Sequence, residues 1–410
     1  MSSNVSIRNN GTGSQSIAAG NGPQSNSNGT GTQNNYYGYA AHPVPSDGRH
    51  TEGVISDPSR PTRRGDFRIA LICALPLEYD AVALQFDEFW DEDGEEYGRA
   101  PGDTNSYTTG RIGNHNVVLT VLPNMGKTAA AGAAANFRCS YPRLQLAFLV
   151  GICGGVPIVG SHEAVLGDVI ISKNVIQFDF GRQFPNKFVT KNTLEDKLSR
   201  ANKDIRALIA SFETELGRER LRGKAGEYLS KLQVVATRKR RRNAYKYLGV
   251  AEDKLFYATY QHEHRAPQLC NVCQGQTENH CEEAARASCA DLRCDEGQLL
   301  SRDVLEVKLG LSPEEMQCPE IFIGRIASGD TVVKSGEHRD QLAEQYNVIA
   351  FEMEGAGAWD EVPCIVIKGI CDYADSHKNK KWQPFAAATA SSVMKAVLGR
   401  YSTTDRPTSA

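Results

Sequence analysis

The side chains of this sequence best suited to chemistry are acids. Glu352-Met353-Glu354 sets two carboxylates around a thioether, directly after the short apolar run Val348 to Phe351. Asp372 and Asp375 follow the apolar run Cys364 to Ile370. Glu78 lies just beyond the run Phe67 to Leu75, and Ser328-Gly329-Asp330 closes the run that begins at Ile321. A single acid in the first turn of a helix ordinarily compensates the helix dipole. Acids at four strand ends of one sheet mean more, because open α/β sheets bind ligands at the carboxyl ends of their strands. They should converge on one crevice and supply a general acid and a general base.

Two glycine motifs point away from nucleotide-driven or redox chemistry. Asn124-Met125-Gly126-Lys127-Thr128 ends like a phosphate-binding loop, but Val121 stands where that loop needs its first glycine. Gly151-Ile152-Cys153-Gly154-Gly155 lacks the GxGxxG spacing of a dinucleotide site.

The elements that must position the acids read as α/β. Phe67 to Leu75, Val117 to Leu122, Leu144 to Val150, Asp168 to Ile176, Ile321 to Ala327, Val348 to Phe351 and Cys364 to Ile370 are strand-length apolar runs. Helical patterns alternate with them: one opened by Pro76, one from Lys127 to Phe137, one from Glu354, and an amphipathic one from Trp382 to Leu398. This alternation predicts a mostly parallel sheet covered by helices on both faces, a three-layer α/β/α domain. The expected organisation is a low-complexity tail over 1–65, a catalytic domain over 66–401 with an insertion at about 181–318, and a short tail at 402–410.

Composition narrows the partners. The net charge of −3 gives no general attraction to nucleic acid or anionic membrane. No stretch reaches the roughly 20 apolar residues of a membrane span, and no apolar segment follows Met1 to Asn10 as a secretory signal requires. The eleven cysteines are an odd number and several sit in apolar runs, so they read as reduced and the protein as cytoplasmic.

Several segments together resemble the nucleoside phosphorylase superfamily, in particular its methylthioadenosine/S-adenosylhomocysteine nucleosidase branch and fungal relatives. Those segments are Ala74 to Glu78, Met125-Gly126-Lys127, Gly151 to Gly155, Leu166-Gly167-Asp168-Val169, Ser328-Gly329-Asp330, Phe351 to Glu354 and Cys371 to Asp375. The resemblance implies the nucleoside phosphorylase-like fold and cleavage of a purine–ribose bond. It makes Asp372 the proton donor to the leaving purine, Glu354 the acid that holds the ribose, and Glu78 the activator of water. It implies substrate contacts for Glu352, Met353, Val333, Ser328, Asp330, Gly154, Gly126, Lys127 and Phe178. It also implies a homo-oligomer and no catalytic cofactor. An acid at Glu78 disfavours a phosphate beside it, so hydrolysis is expected over phosphorolysis, with a phosphorylase or a silent nucleotide sensor as alternatives. Cys371 departs from the family's serine before the catalytic Asp, which would remove a hydrogen bond to that carboxylate.

The insertion carries Arg238-Lys239-Arg240-Arg241-Arg242 and a run of His and Cys. A basic run is ordinarily a solvated face; here Arg240 and Arg241, with Arg182, are the candidate phosphate contacts of a nucleotide substrate such as ATP. Cys270, Cys273, Cys281 and His264 are candidate ligands of a structural zinc, with packing or disulfides as competing explanations. In the tail, Gly11 to Gln15, Gly20 to Gln24 and Gly29 to Gln33 repeat a GxGxQ unit every nine residues. The repeat resembles fungal Gly/Gln/Asn amyloid signalling motifs, which implies assembly through stacked glutamines, with a disordered linker as the alternative.

Overall fold

The computed structural model describes residues 60–92, 97–191, 193, 196–265, 270–273 and 281–403, all within the compact unit Asp57–Ala410. The GxGxQ repeats and most of the C-terminal tail lie outside the described residues. The chain is packed ahead of the boundary expected at 66: Pro61 is buried and its carbonyl accepts the Tyr97 hydroxyl at 2.9 Å.

Nine strands form the central sheet: β1 (Ile69–Cys73), β2 (Glu88–Phe89), β3 (Thr108–Ile112), β4 (His115–Val121), β5 (Leu146–Gly155), β6 (Val169–Gln177), β7 (Ile321–Ser328), β8 (Val348–Glu352) and β9 (Cys364–Asp372). Their spatial order is β8-β7-β6-β9-β5-β1-β4-β3-β2. The ladder β4-β1-β5-β9 is parallel throughout, and so is β6-β7-β8. An antiparallel β9–β6 pairing joins the two, and β2 and β3 add an antiparallel edge. The sheet is therefore mixed.

β5 is the longest strand, and its tip reaches further. Gly154 and Gly155 pair antiparallel with Phe351 and Ala350 of β8, which closes β5, β9, β6, β7 and β8 into a ring. Glycine is required here, since a Cβ on Gly155 would lie 2.7 Å from the Ile370 side chain. Closure brings the ends of β5, β8 and β9 side by side.

The helices on the sheet are α1 (Pro76–Ala83), α2 (Lys127–Ser140), α3 (Lys203–Phe212), α4 (Glu215–Arg238), α5 (Gly355–Glu361) and α6 (Gln383–Leu398). Successive residues of β1 point to opposite faces. Ile69, Leu71 and Cys73 join Val393, Met394 and Val397 of α6, whereas Ala70 and Ile72 join Ala134 and Phe137 of α2 and Trp359 of α5. The product is a three-layer α/β/α domain, and burial of both sheet faces explains why the strands read as continuous apolar runs.

The segment expected as an insertion is part of this packing. Leu221 and Ala225 of α4 share a cluster with the end of α6, and Leu229, Leu232 and Ala236 enter the cluster on the α2 side. Asn202 and Thr214 cap α3 and α4 by accepting from the backbone of Ile205 and Gly217. No helix among the described residues is long and apolar enough to cross a membrane.

Two glycines test this packing from opposite sides. A Cβ at Gly369 of β9 would stand 2.1 Å from the Ala386 carbonyl oxygen, so Gly369→Ala should cost about 1–3 kcal/mol through overpacking. Gly132, exposed in α2, has open space around it, and Gly132→Ala should stabilise by about 0.5–1 kcal/mol. Urea midpoints of the two variants, moving in opposite directions, would check both.

Candidate active site

A cavity of about 210 Å³ opens where β1, β5, β8 and β9 end, lined by Glu78, Gly154, Val333, Met353, Glu354 and Asp372 among others. Each of these residues sits at a strand end or in the segment that follows one, so the sheet sets their separations.

Glu78 enters from the first turn of α1, opened by Pro76. It is 2% exposed. Its Oε2 accepts from the backbone N–H of Ala74 at 2.8 Å and Leu75 at 2.9 Å, and its Oε1 from Ile152 at 2.8 Å. The carboxylate thus fills the backbone amides at the ends of β1 and β5. A Cβ on Gly151 would lie 2.2 Å from Oε1, which explains the glycine there. Burial, aided by the charge of Glu354, raises the Glu78 pKa above the ordinary glutamate value against the opposing pull of Lys368.

Behind the cavity lies a residue that the sequence reading passed over. Lys368, in the middle of β9, is fully buried, with Nζ 3.0 Å from Glu354 Oε2 and 3.7 Å from Glu352 Oε2. Burial alone would lower its pKa, but Glu354, Glu78 and Glu352 outweigh burial and hold the ammonium well above the ordinary lysine range. The visible signal was a lone cation in Cys364-Ile365-Val366-Ile367-Lys368, since a buried charge requires a partner. The other Glu354 oxygen accepts from Gly126 N–H at 3.3 Å. Glu352 is turned inward, accepting from the N–H groups of Glu354 and Gly355 at the start of α5. Burial raises its pKa, as does the charge of Glu354.

Asp372 closes the other side. Its Oδ1 accepts from Ala374 N–H at 2.9 Å, and Ala374 takes a left-handed φ of 52° to make that turn. Its Oδ2 lies 3.2 Å from Lys378 Nζ, a cavity-lining cation that the sequence reading also missed. The expected loss of a hydrogen bond at Cys371 is a weakening instead: the thiol sits 3.3 Å from Asp372 Oδ2. A Cβ on Gly154 would reach within 3.0 Å of Asp372 Oδ1, so this glycine leaves room for the acid.

The other residues singled out from the sequence sit around this centre. Lys127 is turned away from the cavity, with Nζ 2.6 Å from Asp179 and 3.5 Å from Asp330. Asp330 accepts from Lys127 N–H at 3.0 Å and is half-exposed outside the cavity lining. Ser328 is fully buried and accepts from Ala356 N–H at 2.9 Å, anchoring the start of α5. Phe178 packs edge-on to Phe351 in a cluster behind Val333. Arg182 is exposed in the hairpin of Gly181–Phe184 with Lys187–Thr190, away from the cavity.

Arg240 and Arg241 lie elsewhere. With Lys239, Arg242 and Lys380 they line a groove of about 1100 Å³ that shares Leu75, Met125 and Gln383 with the cavity. Asp80 also lines the groove, 3.8 Å from Arg241. His264, Cys270, Cys273 and Cys281, the candidate zinc ligands, come together with all four ligand atoms within 4.8 Å of one another.

Residues 68–252 match the model of the Phosphorylase superfamily, a span that includes Glu78, Gly154 and α4 and ends before Glu354 and Asp372. A nucleotide-binding leucine-rich repeat (NLR)-like protein of Hyaloscypha variabilis is 29% identical over 341 residues, 81% of this chain and 29% of that protein. The aminodeoxyfutalosine nucleosidase of Helicobacter pylori is 35% identical over 83 residues, 18% of this chain and 36% of that protein. The matched stretch is thus about a third of the length of each of these relatives. Among solved structures, the 5′-methylthioadenosine/S-adenosyl homocysteine nucleosidase of Helicobacter pylori aligns over 82% of this chain and all of its own, with a TM-score of 0.44 at 14% identity. The corresponding enzyme of S. pneumoniae gives a TM-score of 0.45 at 16% identity, over 81% of this chain and 98% of its own.

Lys368→Met leaves Glu352 and Glu354 buried without their cation. Breaking a buried pair in this way should cost about 3–5 kcal/mol, read as a fall in the urea midpoint. Lys378→Met, at a partly exposed position, should cost about 1 kcal/mol or less on the same measurement.

Proposed function

We propose that this chain is a nucleosidase of the Phosphorylase superfamily that hydrolyses the N-glycosidic bond of a purine nucleotide, with Glu78, Glu354 and Asp372 as its working carboxylates. The observation that carries the proposal is their convergence, from three different strand ends, on one small cavity. Bond cleavage leaves positive charge on the sugar and negative charge on the purine. Asp372 gives a proton to N7 of the leaving base, and the Lys378 ammonium beside it offsets the charge that develops there. Glu354, held by Lys368 and the Gly126 amide, binds the ribose hydroxyls and stabilises the cationic sugar. Glu78 accepts a proton from water as the water oxygen bonds to C1′, and its raised pKa suits it to act as that base. Met353 supplies a polarisable wall for the ribose.

Hydrolysis is favoured over phosphorolysis because Glu78 already occupies the amides of Ala74, Leu75 and Ile152, groups that would otherwise be open to an anion. The 5′-phosphates of the nucleotide run into the adjoining basic groove, where guanidinium groups suit phosphate oxygens. ATP is therefore a better candidate than a neutral nucleoside. In this reading the chain acts as an effector in immunity or cell death, in which the N-terminal repeats would drive assembly.

The decisive experiment follows base release from ATP, AMP, adenosine and methylthioadenosine, with and without phosphate. Adenine release without phosphate is expected, with Asp372→Asn about 10²–10⁴-fold slower. Release only with phosphate would establish a phosphorylase, and no release from any substrate would leave a nucleotide sensor.

Two further outcomes follow from the same geometry. Replacing Arg240 and Arg241 with alanine should raise KM for ATP and leave KM for adenosine unchanged. As a base, Glu78 works only when ionised, so kcat/KM should fall as pH drops through its raised pKa, giving an acid limb above the ordinary glutamate range. A limb at or below that range would count against Glu78 as the base.

A further inference from the structure

Beyond the quartet expected from the sequence, a second group of ligand atoms converges. His262, Cys289, Cys294 and His377 also lie with their ligand atoms within 4.8 Å of one another. Three come from the segment between α4 and β7, and the fourth follows Asp372 and directly precedes Lys378. We propose that these four residues bind a zinc ion that clamps the 262–294 segment to the segment carrying Asp372. The proposal stands independently of the catalytic reading.

The distances are those of a tetrahedral site. With Zn–S of about 2.3 Å and Zn–N of about 2.0–2.1 Å, a sulfur and a nitrogen ligand stand about 3.6 Å apart and two sulfurs about 3.8 Å. Cys289 Sγ is 3.8 Å from His262 Nδ1 and 3.7 Å from His377 Nδ1, and Cys294 Sγ is 3.5 Å from His262 Nδ1. The expected quartet has the same dimensions: Cys270 Sγ to Cys281 Sγ is 3.8 Å, and His264 Nδ1 is 3.6 Å from Cys281 Sγ and 3.3 Å from Cys273 Sγ. All five cysteines of the two groups, Cys270, Cys273, Cys281, Cys289 and Cys294, are free thiols rather than disulfides.

The tautomers support the same reading. His262 Nε2 lies 3.0 Å from the Ala287 carbonyl oxygen, and His377 Nε2 lies 3.0 Å from the Tyr260 carbonyl oxygen. A carbonyl only accepts, so Nε2 carries the proton in both rings and Nδ1 presents its lone pair to the thiols. A metal-ligating histidine characteristically donates its other N–H to a carbonyl or carboxylate in this way. Packing holds the rings as well, since His377 stacks on Phe256 at 4.0 Å between centroids. Two imidazoles and two thiols in a closed tetrahedron suit zinc better than calcium, magnesium or manganese, which prefer oxygen. His262 and His264 are two residues apart, so one stretch of chain serves both quartets.

The test is metal content of tag-free, full-length protein produced with zinc supplied. Mass spectrometry of the metal should give two zinc ions per chain. Cys294→Ser and Cys273→Ser should each leave one, and the double variant none. Cobalt exchanged into the unaltered protein gives a count that does not depend on any variant folding: two equivalents with the visible bands of tetrahedral thiolate coordination are expected. One zinc per chain, lost with Cys273→Ser but kept with Cys294→Ser, would overturn the second site. Zinc-free protein, or a Cys289–Cys294 disulfide found by peptide mass spectrometry, would overturn it too.

Discussion

Lys368 has no exposed surface, and its ammonium is answered by Glu354 at 3.0 Å and Glu352 at 3.7 Å. A charge so buried is tolerable only with its partners in position, so the pairing fixes how the turn after β8 meets the middle of β9. Glu352 in turn binds the amides that begin α5, and Glu354 reaches the Gly126 amide at the start of α2. The cation therefore governs two helix entries and the orientation of a cavity carboxylate together. The rest of the site depends on it, because Glu78 is drawn into the same field.

The second constraint is steric. The tip of β5 crosses to β8 through Gly154 and Gly155, and the ring it closes puts the ends of β5, β8 and β9 around one space. Gly151, Gly154 and Gly155 are each pressed by a side chain of the site or core: Glu78, Asp372 with Ala374, and Ile370. A methyl group at any of them would push apart the groups that the ring brings together. The Gly-rich stretch is thus a site of close approach and not a cradle for dinucleotide phosphates.

A groove of cations beside a cavity of carboxylates gives the site two electrostatic halves. The cavity suits a group that becomes positive during reaction, and the groove suits one that is negative throughout. Such a division fits a substrate with a sugar at one end and an anionic tail at the other. It also explains why α4 matters beyond the core it fills, since its C-terminal end delivers Arg240 and Arg241 to the groove.

The strands, the helices opened by Pro76 and Lys127, and the four acids that line the cavity were legible in the sequence. A two-face-buried strand is a local apolar run, and an acid at its end stands out against it. Lys368 was passed over because one charge inside such a run has no partner within the run; Glu352 and Glu354 lie on the far side of α5 and reach it only through the sheet. Lys127, Ser328 and Asp330 sit in recognisable motifs, yet their side chains bond to neighbouring structure outside the cavity, and spacing alone does not say which way a side chain turns. The quartet of His264 with three cysteines was within reach because its ligands lie close together in the chain. His377 was not, because more than eighty residues separate it from the nearest other member of its group. By itself the sequence determined the layered α/β pattern and the chemistry on offer, since both are set by residue type and local period. Which acids share a cavity, which cation holds them and which histidine joins which thiols were decided by the tertiary structure, because those distances exist only once the strands are paired.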